Sequence, residues 1–114
     1  MLTNILELAA TRPSLRQATE WFAALGDDGR TEALEAIAAC CRELRPRQSE
    51  VVTAAERAGL RDSDEPCVIL KRSSMPERAI PRVLRLQAEH DRSKAFALLL
   101  ALFSIAKERP QHRG

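Results

Sequence analysis

Apolar residues recur along this chain at three- and four-residue spacing, the period of a helix rather than of a strand. The densest run lies between Lys94 and Lys107, where Ser104 is the only residue that is not apolar. It holds no Gly or Pro, and Ile105 is its only β-branched residue. Ala and Leu, which fill it, are the strongest helix formers. At ~1.5 Å rise per residue it falls well short of the roughly 20 apolar residues that span a bilayer. A helix apolar on nearly every side yet too short to span is the buried centre of a bundle. The spacing therefore predicts a central helix at about 92–108. Phe96, Leu99, Leu102 and Phe103 are its core residues, with the other helices wrapped around it.

The rest of the chain divides at its breakers. Residues 3–11 read as a short helix capped by Thr3 or Asn4 and ended by Pro13. Ser14-Leu-Arg-Gln17 is a capping box, and Leu15, Ala18, Trp21, Phe22 and Leu25 form the apolar face that follows. Gly26 stops that helix, and Asp27 or Asp28 caps the next. The third helix carries the stripe Leu34, Ile37, Cys41, Leu44, up to Pro46. A fourth is expected over about 47–58, closed by Gly59-Leu60. Arg61-Asp-Ser-Asp-Glu-Pro66 is a loop. Cys67-Val-Ile-Leu70 is β-rich but has no partner strand, so it reads as a short helix or a buried extended linker. Ser74-Met-Pro-Glu77 looks like a second capping box, and Pro81 is expected to break or bend the helix it starts.

Composition narrows this little. The chain is 45% hydrophobic and 30% charged, in the range of an ordinary globular domain. With one Trp, three Phe and no Tyr, aliphatic side chains and Ala must fill the core. The net charge of +2 hides a gradient. Residues 1–40 carry 3 basic and 6 acidic side chains, residues 41–72 carry 7 and 6, and residues 73–114 carry 8 and 4. That is short of the basic footprint of a dedicated nucleic-acid binder. Three cysteines, two of them adjacent, do not make a disulfide framework and point to a reduced, cytoplasmic setting. The opening Met-Leu-Thr-Asn-Ile-Leu-Glu lacks the basic region of a secretory leader, and no membrane association is expected.

Several landmarks recur together: Arg12-Pro13-x-Leu15, Trp21-Phe22-x-x-Leu25, Ala58-Gly59-Leu60-Arg61, Pro66-Cys67-Val68-Ile69 and Lys94-Ala95-Phe96-x-Leu98-Leu99-x-Ala101-Leu102. Their order and spacing resemble a family of short, helical bacterial proteins classed as a domain of unknown function. The resemblance covers most of the chain. Asp62-Ser-Asp-Glu65 departs from the Thr- and His-containing loop of that family. The resemblance implies no activity and lends no functional residue.

Candidate chemistry is sparse. Cys40-Cys41 and a lone Cys67 with two distant His do not match zinc-ligand spacing. Cys41 falls on an apolar stripe, as a buried thiol does. Glu89-His90-Asp91 beside Ser93 and Lys94 is the one group with acid–base potential, but neighbours on a helix diverge. Trp21 and Phe22 are expected to face the core from the edges of a wide stripe. Lys71, Arg72, Arg78, Arg82 and Arg85 form the densest basic cluster, and an unbroken helix would align the last three. On the central helix Lys94, Ala97, Ala101, Ser104 and Glu108 share one face. Its small residues Ala97, Ala101 and Ser104 offer a close-packing stripe for a helix of the same chain or of a second copy.

The reading is an all-α fold, a single domain over 1–114 of five to six helices around a buried C-terminal helix, with a frayed tail at about 110–114. The expected function is a non-enzymatic, cytoplasmic protein–protein binding or scaffolding module without cofactors, with an unidentified protein or a second copy in a homodimer as partner. The alternative is a small nucleic-acid-associated regulator using the basic patch.

Overall fold

The computed structural model describes residues 2–110. Of the expected frayed tail, only Pro110 falls among them. The helices are α1 (Leu2–Ala10), α2 (Leu15–Ala23), α3 (Gly26–Leu44), α4 (Gln48–Arg57), α5 (Glu65–Lys71), α6 (Pro76–Val83) and α7 (Glu89–Lys107), with no strand among the described residues. The class is the expected one, but the described helices number seven rather than five to six. The ambiguous stretch 67–70 lies inside α5. A helix satisfies its own backbone, so Val68 and Ile69 need no partner strand. Pro66 in the first turn, Cys67 and Leu70 anchor α5 in the core.

Helix α7 is the centre. It packs against α1 through α5, while α6 rests on α3 and α5. Ala95 to Leu100, Leu102, Phe103 and Ala106 are buried, including all four expected core residues. Its first turn begins at Glu89, a turn earlier than the apolar run implies, with Glu89 and Asp91 near the positive end of the helix dipole. Phe96 is the hub of the aromatic cluster. Its ring stacks on Phe22 at 4.8 Å and on Trp21 at 5.5 Å. Phe22 is fully buried and Trp21 half-buried, so both face the core as the stripe predicts.

Local signals hold where a side chain can reach the backbone it caps. Ser14 Oγ accepts from Gln17 N, and Gln17 Oε1 accepts from Ser14 N, completing the expected capping box. Gly59 has φ +67°, its N–H donates to Glu56 O, and Leu60 N donates to Ala55 O. Those paired bonds are the Schellman stop that Gly59-Leu60 predicts.

Four expectations at helix ends need correction. Helix α1 begins at Leu2, which puts Thr3 and Asn4 inside its first turn instead of at its cap. Neither Asp27 nor Asp28 caps α3: Leu25 is the N-cap residue, Gly26 opens the helix at φ +74°, and both aspartates lie in the first turn. Ser74 does not cap α6 either. Met75 holds that position, while Ser73 Oγ donates to Met75 O and accepts from Met75 N. Glu77 thus comes one residue too early for a capping box. Pro81 does not break α6, which ends only after Val83. Its ring removes a single i−4 bond near the end of a short helix, and its exposed position leaves the Glu77 carbonyl to water.

Candidate functional site

The basic cluster of the sequence divides in two. Lys71, at the end of α5, is half-buried and bonded to Asp62. That hydrogen bond holds its ammonium above the usual lysine range, outweighing the opposing effect of burial. Arg72, Arg78, Arg82 and Arg85 are exposed, and none makes an ion pair among the described residues. On α6, Pro76, Ala79, Ile80 and Val83 are buried, which turns Arg78 and Arg82 outward together. Arg85 follows in a closing turn, where its N–H donates to Arg82 O. Met75, 44% exposed, lies at the start of the same helix.

Other charged groups of the sequence reading are tied into the fold. Asp64 Oδ1 accepts from Lys94 Nζ at 2.7 Å, and Asp64 Oδ2 accepts from Arg61 N. The Lys94 bond holds the Asp64 carboxyl below its ordinary value against the effect of burial. The divergent loop Asp62–Glu65 is therefore a clasp from α5 to α7. The Glu89–Lys94 group disperses. Glu89 lies 3.1 Å from Arg30 Nε, His90 lies 3.3 Å from Asp91, and Lys94 turns to Asp64. No nucleophile–base hydrogen bond forms there among the described residues.

Cys41 and Cys67 are buried and Cys40 is half-buried, all three as free thiols. Cys41 Sγ donates to Leu99 O at 3.1 Å, joining α3 to α7. Burial pushes all three thiols up. Cys40, with Glu43 adding to the effect of burial, is the most accessible of them. Native protein at pH 8 is expected to react with Ellman's reagent at Cys40 alone, and at all three thiols once denatured. Fast native modification of Cys41 or Cys67 would show that the α3–α7 or α5–α7 packing opens readily. Among the described residues no three His, Cys, Asp or Glu side chains come together as a metal site, and no helix is long and apolar enough to cross a membrane.

The small-residue stripe of α7 becomes the floor of a groove between α2 and α4. Ala97 is buried, and Ala101 and Ser104 are half-buried. Ser104 Oγ donates to Ala9 O at 3.3 Å, so α1 of the same chain covers that end of the stripe. Arg12, Pro13, Ser14 and Gln17 form one wall, and Arg57 and Ala58 the other. Sequence periodicity could not single out Arg57, which is one more polar residue at the end of α4 until the groove is assembled.

A family model, family of unknown function (DUF5958), matches residues 3–113. This agrees with the resemblance carried by the Arg12-Pro13, Trp21-Phe22 and Lys94–Leu102 landmarks. No curated protein and no solved structure matches.

Proposed function

Because the chain belongs to the DUF5958 family, to which no function is assigned, we propose its function from its own surface: it is a non-enzymatic binding module that docks an acidic protein surface through the arginines on and beside α6, Arg72, Arg78, Arg82 and Arg85. The observation that carries this is the partition of charge. Among the described residues five ion pairs, Arg12–Glu108, Arg30–Glu89, Asp62–Lys71, Asp64–Lys94 and Glu50–Arg109, join one part of the chain to another. Arg72, Arg78, Arg82 and Arg85 have no partner within the described chain. Arginine is the cation suited to interfaces, because its planar fork pairs with carboxylates two bonds at a time. Met75 adds an adaptable apolar contact beside it. A homodimer through Ala97, Ala101 and Ser104 has less support, because Ser104 bonds to Ala9 O of the same chain and the stripe lies at the floor of a groove.

The second reading, a nucleic-acid-associated regulator, draws on the same four arginines. It is weaker because Trp21 and the three Phe serve the core or its edge, which leaves no aromatic platform beside the arginines for bases. Backbone NMR resolves the two. An oligoglutamate peptide at low salt is expected to move amides over residues 72–86 only, and the Arg78→Glu/Arg82→Glu variant to abolish the effect. Absence of any shift would overturn the proposal. Tighter binding of duplex DNA, with a log–log salt slope of about −3 to −4 for four phosphate contacts, would replace it with the second reading.

A further inference from the structure

Helix α7 is buried at every position from Ala95 to Phe103 except Ala101. Ala101 is half-buried and faces a cavity of about 480 Å³ between α2, α4 and α7. We propose that this cavity is a binding site for a small amphiphilic carboxylate. The apolar body lies on Ala18, Ala58, Leu100 and Ala101, and the carboxylate head meets Arg12 and Arg57.

Three features support the assignment. The volume falls within the roughly 300–1,000 Å³ of small-molecule sites. The floor is built from small apolar side chains, so the space persists inside an otherwise close-packed bundle. Finally, among the described residues the lining contains two arginines and no carboxylate. Arg57 is exposed and makes no ion pair among the described residues. Among the described residues Arg12 pairs only with Glu108, a contact whose side chains are 65% and 47% exposed. Such an exposed pair is worth little, and a ligand carboxylate at a guanidinium fork can displace it. Arg12 is also held at φ 50°, with its N–H bonded to Ala9 O, which sets the rim in a left-handed turn.

The site is separate from the arginine face of α6, and its test separates them. Decanoate, decanol and decyltrimethylammonium carry the same tail under three heads. Each is titrated into the full chain and followed by backbone NMR. Decanoate is expected to shift amides of 14–18, 57–58 and 97–104, decanol to bind at least tenfold more weakly, and the cation not to bind there. Arg57→Glu is expected to weaken decanoate at least tenfold and leave decanol unchanged. Ala101→Phe, which fills the cavity, is expected to remove both; if it fails to fold, Arg57→Glu decides alone. Arg78→Glu/Arg82→Glu is expected to leave decanoate binding intact. Equal affinity for all three heads, shifts clustered elsewhere, or no decanoate binding at about 1 mM, the weak end of specific affinity, would each overturn the proposal.

Discussion

Phe96→Ala is expected to lower the unfolding free energy by about 3–5 kcal/mol, the range for removing a fully buried aromatic ring. Phe96 has no exposed surface and stands in the middle of α7. Its ring stacks at once on Phe22 and Trp21 of α2, so the substitution deletes both aromatic contacts that seat α2 on the central helix. The site cannot collapse easily, because Leu98, Leu99 and Leu100 in the following turn are themselves fixed in the core. Urea denaturation with an unchanged slope measures the loss. A loss below about 1 kcal/mol, the ordinary cost of an average substitution, would mean that α2 does not depend on this contact.

Arg109→Met is expected to cost about 2–3 kcal/mol at neutral pH, less than the roughly 3–5 kcal/mol for breaking a fully buried pair. The discount reflects the 23% exposure of the Arg109 side chain. Arg109 Nε donates to Glu50 Oε2 at 2.9 Å, and its NH2 group donates to Glu50 Oε1. The same guanidinium donates to Leu44 O at 3.3 Å and Arg45 O at 3.4 Å. It thereby clasps the end of α7 to the turn between α3 and α4, where Arg45 is held at φ 48° with no glycine to ease it. Glu50 Oε1 also accepts from Arg47 N at 2.8 Å, which secures the start of α4.

Removing Arg109 leaves the Glu50 carboxylate desolvated with one backbone donor, so the Glu50→Gln/Arg109→Met double variant is expected to be less destabilised than Arg109→Met alone. The pH dependence has a definite sign. Burial raises the Glu50 carboxyl, but the Arg109 and Arg47 bonds outweigh it and hold the group below its ordinary value. A carboxylate depressed in the folded state stabilises fully above its unfolded value, about 4.3 for Glu, and loses that contribution as pH falls through the folded value. The gap between wild type and Arg109→Met is thus expected to be full at pH 7 and to narrow below about pH 4. A gap independent of pH would show that Arg109 acts through packing of its stem and not through its charge.

The central helix, the Ser14 capping box and the Gly59 stop were legible from single residues, because each depends on neighbours within one turn of the chain. Burial of Phe96, Leu99, Leu102 and Phe103 followed from a run so apolar that no face could be left to water. Cys67–Leu70 resisted, since the lack of a partner strand left a short helix and a buried extended linker equally open until the packing of Cys67 and Leu70 in the core decided it. The caps of α3 and α6 were misplaced for a related reason. A capping side chain competes with nearby backbone, and Ser73 engaging Met75 settled a contest that the motif at Ser74 could not record.

Sequence alone determined the class, the central element and the inward faces of α2 and α3, because those rest on periodicity and on local hydrogen bonds. Tertiary structure decided which charges remain available. Lys71 and Arg72 are adjacent and chemically alike in the sequence, yet Asp62 engages one and leaves the other in solvent. Ala97, Ala101 and Ser104 formed a stripe on paper, but only the arrival of α1, α2 and α4 made it the floor of a cavity rimmed by Arg12 and Arg57. The physical reason is range. Burial patterns repeat along a helix every three or four residues, whereas ion pairs and cavities join residues brought together from distant parts of the chain, such as Glu50 with Arg109.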